Sequence, residues 1–500
     1  MIKTSIQYGD ETPIAAFSTT PGNSALTLIR CSGKGSIDLA ASILSSDKIK
    51  DTPGNTVIHC WVINKELEPQ VRRIDEVLVS VFRGPKSYTG EDSIDICCHG
   101  GVVTGKAVMA ALKKAGFRDA LPGEFTFRAF MNGKLDLTQS ESVMEIVSAK
   151  TEAGRRHSVT RLSGSLQKEI HDLKQLLVQV LASAEIFLDY SEDEISPAMD
   201  NADEAAEKLP NKDIALSVLS RLQKLSASWQ IERIYQEGIT VVIAGKPNAG
   251  KSSLFNAILK EDRSIVTEIP GTTRDWIEAW VSIDGIPIRL IDTAGLRESS
   301  DSIEKIGVER SYTLIREADI ILYLIDGEQG LTGEDNDYIE KNCSHNVNGA
   351  IEPRTCEPKA RSSQVLNSLV RHLFIWNKCD IAPLPRQFLA SSLSPICVSA
   401  KTGEGLTELY ASISEAIRKQ VKADSFDSSE AALGTERQKK LVDSACAALE
   451  EALALTERDE PLDLIAPMIR EAVNFLGEIT GEVSTADILE EMFGRFCVGK

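Results

Sequence analysis

The chain has 500 residues, of which 42% are hydrophobic and 26% charged, a balance that excludes wholesale disorder and predicts roughly three folded domains. Its formal net charge of −19 argues against a surface that binds nucleic acid throughout, although it leaves room for a local basic patch or a basic partner. Ten cysteines without C-x-x-C pairs predict reduced thiols, and neither a signal peptide nor an apolar run long enough for a bilayer is found. We therefore expect a soluble, cytoplasmic protein that does not bind membranes.

Residues 1–130 are expected to form an N-terminal α+β domain, because short β-like runs alternate there with turns. Strands are predicted at 25–30, 77–82 and 94–98, followed by a helix at 102–114. Gly116 is predicted to end that helix, since a glycine just past the last helical residue takes the left-handed conformation at little cost.

A central all-α helical domain is predicted from two chain segments, 131–236 and 426–500. Apolar residues recur in both segments at spacings of three and four, which is typical of helices with one buried face. They are Leu166, Ile170, Leu173, Leu177, Val180, Leu181 and Ala184 in the first segment, and Leu441, Ala445, Ala448, Leu449 and Leu453 in the second. The acidic run 189–194 is predicted to be a solvated turn, and His157 with Arg155 and Arg156 a small local basic patch.

Between these segments, residues 237–425 are predicted to form an inserted Ras-like α/β domain. Its strands are predicted at 239–244, 278–283, 286–291, 319–326, 372–376 and 395–399. Asp284-Gly285 indicates one hairpin, and the other spacings favour a mostly parallel sheet. A polar segment at 341–370 is interpreted as a mobile insertion, because Cys343, His345 and Cys356 are too scattered to indicate a zinc site.

The inserted domain begins with a phosphate-binding loop, Gly245 to Ser252, which reads G-x-x-x-x-G-K-S between a predicted strand and a predicted helix. Its backbone N–H groups and the helix N-terminus can face phosphate oxygens. Lys251 can reach the β- and γ-phosphates, and the Ser252 hydroxyl can bind Mg²⁺. The candidate nucleotide-binding residues here are Asn248, Ala249, Gly250, Lys251, Ser252 and Ser253.

Three further motifs follow in the order that a GTPase requires. They are Asp292-Thr293-Ala294-Gly295, then Asn377-Lys378-Cys379-Asp380, then Ser399-Ala400-Lys401. Asp292 can hold the Mg²⁺ shell, while the Gly295 N–H can sense a γ-phosphate. The carboxylate of Asp380 can accept both N1–H and the 2-amino group of guanine, a donor pair that adenine lacks. Together the motifs predict a Ras-like GTPase.

The catalytic group is less obvious, because Leu296 stands where Ras-type enzymes place a water-orienting glutamine. Glu304 is a candidate that could act through a bridging water, although an ordinary exposed helix acid is the alternative. A monovalent cation could replace an arginine finger, with Asn248 as a ligand and the loop 265–275 closing over it. In that arrangement Thr273 would bind Mg²⁺.

Six stretches are distinctive besides the GTPase motifs: 87–92 (SYTGED), 99–101 (HGG), 121–125 (LPGEF), 132–137 (NGKLDL), 476–481 (LGEITG) and the C-terminal C-x-G-K at 497–500. With these stretches and the GTPase motifs, the chain resembles the MnmE (TrmE) family of tRNA modification GTPases over essentially its whole length.

The resemblance implies a reaction and its partners. The flavoprotein MnmG would join this chain in a heterotetramer that forms an aminomethyl or carboxymethylaminomethyl group on carbon 5 of the tRNA wobble uridine. A tetrahydrofolate derivative, in the 5-formyl or methylene form, would be the one-carbon donor. The family is a homodimer through its N-terminal domains, its GTPase domains associate when GTP and K⁺ bind, and tRNA would be held largely by the partner.

Site residues are also implied by the resemblance, position by position. The K⁺ ligands would be Asn248, Thr267, Ile269 and Thr272, of which Thr267 and Thr272 also border GTP, and the Mg²⁺ ligands would be Ser252 and Thr273. Glu304 would orient the attacking water. Folate contacts would come from Arg30, Asp95 (glutamate in relatives), Lys134 and Lys500. Cys497 would be a functional thiol, with a packed thiol on the last helix as the alternative.

Two other functions stay open on sequence grounds. One is a GTP-dependent ribosome-assembly switch without one-carbon chemistry, but such proteins usually carry a basic RNA-binding module and the C-terminus here is acidic and helical. The other is a regulatory GTPase whose N-terminal domain only dimerises.

Overall fold

The computed structural model describes residues 8–20, 22–68, 72–189, 209–260, 264–265, 277–293, 318–343, 346–347, 350–351, 371–385, 394–421, 431–483 and 486–499. The chain forms two compact units. The first comprises residues 1–144, 161–223 and 436–500, and the second comprises residues 145–160 and 224–435. The domain limits predicted from the sequence stay predictions, since the two units have different limits.

The first unit contains a six-stranded sheet in the order β3-β4-β5-β2-β1-β6. Its strands are β1 (Ile14–Phe17), β2 (Leu26–Ser32), β3 (Thr56–Ile63), β4 (Arg73–Phe82), β5 (Ser93–His99) and β6 (Arg118–Asp119). Helices α1 (Ser36–Ile43) and α2 (Val102–Ala115) share an apolar core with it, and Gly116 ends α2 at φ 115°. The predicted strands correspond to β2, β4 and β5, while β1, β3 and β6 were not predicted.

Within the described residues, five helices follow along the chain. They are α3 (Glu124–Met131), α4 (Leu137–Ser148), α5 (Glu152–Leu162), α6 (Ser165–Asp189) and α7 (Lys212–Glu237). The predicted apolar stripe of α6 is buried except for Leu181, which is half-buried. The acidic run predicted as a turn lies outside the described residues apart from Asp189.

The predicted basic patch is wrong for His157. Its side chain is buried in the second unit, where Nδ1 lies 2.6 Å from Oε1 of the buried Glu232. A buried charged carboxylate needs a partner of this kind, because an unpaired one carries a large desolvation cost. Arg155 and Arg156 are exposed, and both donate hydrogen bonds to Glu152.

The second unit contains a seven-stranded sheet in the order β15-β14-β11-β7-β10-β9-β8. Its strands are β7 (Ile239–Gly245), β8 (Ser264–Ile265), β9 (Ile277–Ile283), β10 (Ile286–Asp292), β11 (Ile320–Asp326), β14 (Arg371–Asn377) and β15 (Ile396–Val398). Helices α8 (Lys251–Lys260), α9 (Gly333–Cys343) and α10 (Leu406–Val421) alternate with them.

This sheet is parallel at β7, β10, β11, β14 and β15, and β9 pairs antiparallel with β10 across the predicted Asp284-Gly285 turn. Every residue of β11 is buried, as expected for a central strand covered on both faces. Parallel strands end at a common edge, so the loops after β7, β10, β11, β14 and β15 meet there. The described residues of the four predicted nucleotide motifs lie at the ends of four of these strands or on the loops that follow them.

The predicted insertion is described only in part. Within it, β12 (Asn346–Val347) and β13 (Ala350–Ile351) form an antiparallel pair, and Cys343 ends α9. His345 and Cys356 lie outside the described residues, as do most positions of the segment.

The chain ends in three helices of the first unit, α11 (Glu436–Glu457), α12 (Leu462–Thr480) and α13 (Ala486–Gly494). Helix α12 packs against both α11 and α6. The predicted stripe of α11 is buried except for Leu441, which is half-buried. None of the described helices is both long enough and apolar enough to cross a membrane.

Candidate functional site

The phosphate loop connects the C-terminal end of β7 to the first residue of α8. Gly245 has φ 138°, and a Cβ there would lie 2.6 Å from the Leu324 carbonyl oxygen of β11. Asn248 and Gly250 also have positive φ values, 65° and 94°. These conformations suit glycine and asparagine, so the residue types at these positions account for the tight turn.

Lys251 places its ammonium group over this loop. Its Nζ donates to the carbonyl oxygens of Gly245 at 3.1 Å and Lys246 at 2.7 Å. The side chain thus folds back over the turn at the N-terminus of α8, where the helix dipole and unpaired N–H groups also favour anions. A di- or triphosphate fits this arrangement of positive groups.

The next residue supplies an oxygen ligand beside the loop. The Ser252 hydroxyl donates to Oδ2 of Asp292 at 2.6 Å, and Asp292 is fully buried at the end of β10. Thr293 Oγ1 donates to the Ile243 carbonyl oxygen at 2.8 Å, which holds the two strand ends together. Hydroxyl and carboxylate oxygens are the hard ligands that Mg²⁺ prefers, so the donor set fits this ion.

Asn377 connects the guanine motifs to the phosphate loop. Its Nδ2 donates to the Ala249 carbonyl oxygen at 2.8 Å, and its Oδ1 accepts from the Ala400 N–H at 3.2 Å. A Cβ on Gly250 would lie only 2.2 Å from the same Nδ2. The buried amide therefore joins three loops that are far apart in the sequence.

The rest of the guanine motifs surround this amide. Lys378 has φ 63°, and its Nζ lies 2.8 Å from Oδ2 of Asp326 and 3.0 Å from Oε2 of Glu328. The hydrogen bond to Asp326 is the main cause of a raised pKa for the Lys378 ammonium, which keeps it charged. Asp380 is exposed, as a group that receives a base must be.

The last motif forms a tight turn after β15. Ser399 is buried, its N–H donates to the Glu404 carbonyl oxygen at 2.9 Å, and its Oγ accepts from the Thr402 N–H at 3.2 Å. Lys401 is exposed beside this turn. The serine therefore fixes the loop whose Ala400 N–H contacts Asn377.

Several predicted residues lie outside the described part of the chain. They are Thr267, Ile269, Thr272, Thr273, Ala294, Gly295, Glu304 and Lys500. Their roles as ligands, phosphate sensor and water-orienting acid stay predictions.

In the first unit, Arg30 and Asp95 are brought together across the pair formed by β2 and β5. The guanidinium donates to both carboxylate oxygens, Nε to Oδ1 at 3.0 Å and Nη2 to Oδ2 at 3.1 Å. The guanidinium also lies over the Tyr88 ring, 5.7 Å from its centroid. Such a bidentate pair fixes the relative orientation of the two side chains.

Lys134 lies near the loop that joins β4 to β5 and contains Tyr88. Its Nζ donates to the Pro85 carbonyl oxygen at 3.0 Å, and its Cγ lies near Gly90. Cys497 is exposed, which disagrees with the alternative of a packed thiol, and its carbonyl oxygen accepts from the Gly123 N–H at 3.3 Å. Arg30 and Lys134 thus border one loop, which also carries the predicted S-Y-T-G-E-D stretch.

Residues that the sequence did not single out also contribute to the site. Asp326 is the last residue of β11, at the functional edge of the sheet, a position that could have drawn attention to it. Asp335 follows Thr332 by three residues, a capping-box spacing at the start of α9. Both acids bind lysines of the nucleotide motifs.

Comparison with known proteins gives full-length relatives. A model of the MnmE helical domain matches residues 137–497, and a model of the GTP-binding protein TrmE N-terminus matches residues 13–134. The tRNA modification GTPase MnmE of Treponema denticola is 41% identical over 503 residues and covers 99% of each chain. That of Carboxydothermus hydrogenoformans is 36% identical and covers 98% of this chain and 100% of its own.

The chain belongs to the MnmE family. It is therefore a GTPase of the tRNA modification class, which uses GTP with Mg²⁺. The predicted fold class is confirmed, with an N-terminal TrmE domain, a helical domain and an inserted Ras-like phosphate-loop domain.

Solved structures resemble parts of this MnmE-family chain. An Era structure with MgGDPNP and nucleotides of 16S ribosomal RNA is 23% identical, with a TM-score of 0.25, and covers 42% of this chain and 66% of that chain. The G domain of T. maritima FeoB is 27% identical, with a TM-score of 0.23, and covers 36% of this chain and 98% of that chain. The family assignment rests on the full-length relatives alone.

Proposed function

We propose that this chain is a K⁺-activated GTPase that acts with a flavoprotein of the MnmG type to modify carbon 5 of the tRNA wobble uridine. The full-length relatives, which are named tRNA modification GTPases, support the substrate class. The observation that carries the K⁺ proposal is the position of Asn248, a neutral oxygen donor at φ 65° inside the phosphate loop.

The described residues have separate tasks in GTP hydrolysis. Lys251 and the N-terminus of α8 neutralise the phosphates, and Asp380 selects guanine by accepting its two donors. Ser252 and Asp292 would hold Mg²⁺, which would supply positive charge at the phosphate oxygens. Asn377 keeps the base-binding and phosphate-binding loops in one arrangement, so that both ends of the nucleotide are bound together.

Potassium would add charge stabilisation between the β- and γ-phosphates, where other GTPases use an arginine. Asn248 would be its ligand in the phosphate loop, with Thr267, Ile269 and Thr272 as the other ligands. Glu304 would orient water, because Leu296 has no polar group for that task. Thr273 would complete the Mg²⁺ ligands beside Ser252.

The one-carbon donor in this proposal is a tetrahydrofolate derivative held by the N-terminal domain. The Arg30–Asp95 pair offers an acceptor for the N–H edge of a pterin next to a cation, and Lys134 and Lys500 would bind the glutamate carboxylates. Asp95 has free acceptor capacity beyond the two bonds from Arg30, since a carboxylate has about four lone-pair directions.

The assembly proposed here is a homodimer that forms a heterotetramer with the flavoprotein. A net charge of −19 supports tRNA contacts that lie largely on that partner, because phosphate contacts depend on lysine and arginine. GTP hydrolysis on this chain would then control a reaction on an RNA that it binds only in part.

The test is GTP hydrolysis in matched KCl and NaCl, for the natural chain and for Asn248→Ala. We expect faster hydrolysis in KCl, and loss of that difference in the variant, because a direct cation ligand is removed. Asn55→Ala is the matched control, since Asn55 also has a positive φ, 61°, but lies in the N-terminal sheet domain. Equal rates in the two salts would contradict the K⁺ mechanism while leaving the GTPase assignment intact.

A further inference from the structure

Lys246, the second residue of the phosphate loop, is anchored by the start of α9. Its Nζ contacts the Thr332 hydroxyl, and lies 3.2 Å from Oε2 of Glu334 and 3.5 Å from Oδ2 of Asp335. The glutamate is exposed, whereas the Asp335 side chain is only 3% exposed. The buried aspartate is therefore the fixed member of this group.

Asp335 is itself held from three directions. Its Oδ2 accepts from the Thr332 N–H at 3.0 Å and the Thr332 hydroxyl at 2.7 Å, and its Oδ1 accepts from the Tyr323 hydroxyl at 2.9 Å. Tyr323 is buried in β11 and stacks on Tyr338, with ring centroids 4.1 Å apart. Burial by itself would raise the pKa of Asp335, but these hydrogen bonds outweigh it and lower the pKa.

The backbone of Lys246 also accepts hydrogen bonds from other residues of the phosphate loop. Its carbonyl oxygen accepts from Nζ of Lys251 at 2.7 Å and from the Ala249 N–H at 3.3 Å. A change in the backbone at Lys246 would therefore move the ammonium group that faces the phosphates. The side chain of Lys246 is mostly buried, so few alternative positions are open to it.

We propose that Asp335 is a positioning residue of the GTPase site: its carboxylate fixes Lys246, whose carbonyl oxygen in turn orients Lys251 for the phosphates. Asp335 touches neither nucleotide nor metal in this scheme and acts only through Lys246. Helix α9 and β11 thus set the shape of the phosphate loop from outside it.

Two simpler roles predict different results. A helix cap alone, formed by the Thr332-x-x-Asp335 spacing, would affect folding and lower the affinity for every ligand of the domain alike. A purely electrostatic role would make Asp335 unfavourable for phosphates, so that removing its charge would strengthen their binding. Positioning predicts the opposite sign, and predicts it for phosphates only.

The experiment compares dissociation constants for GDP and for guanosine in the full chain, by calorimetry. Asp335→Asn keeps the size and an acceptor for the Thr332 N–H but removes the charge that holds Lys246. We expect GDP to bind about tenfold more weakly, a loss between those typical of an exposed and of a buried ion pair, with unchanged guanosine binding. Asp337→Asn, which changes an exposed acid of the same helix, should alter neither constant.

Lys246 variants provide the second measurement, independent of whether the Asp335 variant folds well. Lys246→Met should weaken GDP binding by a similar factor, and Lys246→Arg, which keeps the cation, should restore most of it. The double variant Lys246→Met with Asp335→Asn should be no worse than either single variant, because both break one connection.

Three outcomes would overturn the proposal. They are tighter or unchanged GDP binding in Asp335→Asn, an equal loss of GDP and guanosine affinity, and losses that add in the double variant.

Discussion

At the scale of single residues, the molecule uses paired charges to place groups that its motifs need. Lys378 is held by Asp326, Lys246 by Asp335 and Arg30 by Asp95, each over a long sequence separation. His99, in the His-Gly-Gly stretch, follows the same rule. Its ring Nδ1 lies 2.8 Å from Oδ1 of Asp75, and its backbone N–H donates to Oδ2 of Asp75 at 2.8 Å.

This pair predicts a pH effect on His99. The hydrogen bond to Asp75 is the main cause of a raised pKa for the imidazole. Because the folded-state pKa is raised, the stabilisation is fully present below the unfolded value of about 6.5 and is lost as the pH rises through the folded-state pKa. Asp75→Asn should lower the pKa of His99 in an NMR titration of the ring, and Asp119→Asn should not. An unchanged His99 titration in the first variant would contradict the assignment.

The side-chain partners just described mark the limit of what the sequence predicts. The motif spacing identified Asn377 and Gly250, but not that a Cβ on the glycine would lie 2.2 Å from the asparagine amide. Lys246 and Asp335 are neighbours because β7 and β11 are adjacent in the sheet. The order of strands in a sheet cannot be predicted from any local sequence pattern. Local signals such as the Thr332-x-x-Asp335 spacing identify a cap without its distant contact.

At the scale of elements, the sequence predicts a helix or strand correctly where the burial of its residues follows a regular pattern. The strand predicted at 319–326 is β11 at Ile320–Asp326, since burial on both faces leaves one continuous apolar run. Strands β1 and β6 were missed because they are short, with four and two residues, and too few positions remain to show alternation. Leu181 and Leu441 fit their stripes by spacing but lie at the stripe edges, half-buried.

Contacts between elements also determine how replacing a helical glycine by alanine changes stability. Ala is normally favoured over Gly inside a helix by about 1 kcal/mol. A Cβ on Gly154 of α5, however, would lie 2.8 Å from the Tyr235 carbonyl oxygen of α7, because the backbones of the two helices approach closely there. We expect Gly154→Ala to destabilise the second unit by about 1–3 kcal/mol, because the helices must separate.

The matched control is Gly477→Ala in α12, where the nearest atom, Nζ of Lys174, lies at an ordinary 3.6 Å. This variant should be neutral or more stable by up to ~1 kcal/mol. Urea denaturation of both variants measures the difference. A stabilised Gly154→Ala would show that the close approach of α5 to α7 is not maintained.

At the scale of the whole molecule, the two ends of the chain belong to the same unit. Phe493 packs edge-on against Phe127 at 5.4 Å between ring centroids, and Phe496 is 7% exposed beside Gly123. A Cβ on Gly499 would lie 2.3 Å from the Phe17 carbonyl oxygen at the end of β1. The C-terminal residues therefore lie close to the first strand of the N-terminal sheet, and we expect them to stabilise it.

Phe496→Ala tests this dependence. Removing a buried phenylalanine side chain should cost about 3–5 kcal/mol and speed hydrogen exchange in β1, far away in sequence. Val498→Ala changes a side chain that is 54% exposed and should shift stability by no more than ~0.5 kcal/mol. Equal exchange rates in β1 for the two variants would refute the role of the C-terminal residues.

The division of the first unit among residues 1–144, 161–223 and 436–500 has a consequence for synthesis on the ribosome. The last stretch, residues 436–500, takes about 3–13 s to translate at ~5–20 residues per second. During that time the second unit has its entire sequence, while the apolar stripe of α6 lacks α12, the helix that covers it. The nascent chain thus presents a finished GTPase core together with an uncovered apolar helix, a substrate for chaperones until its last residues are made.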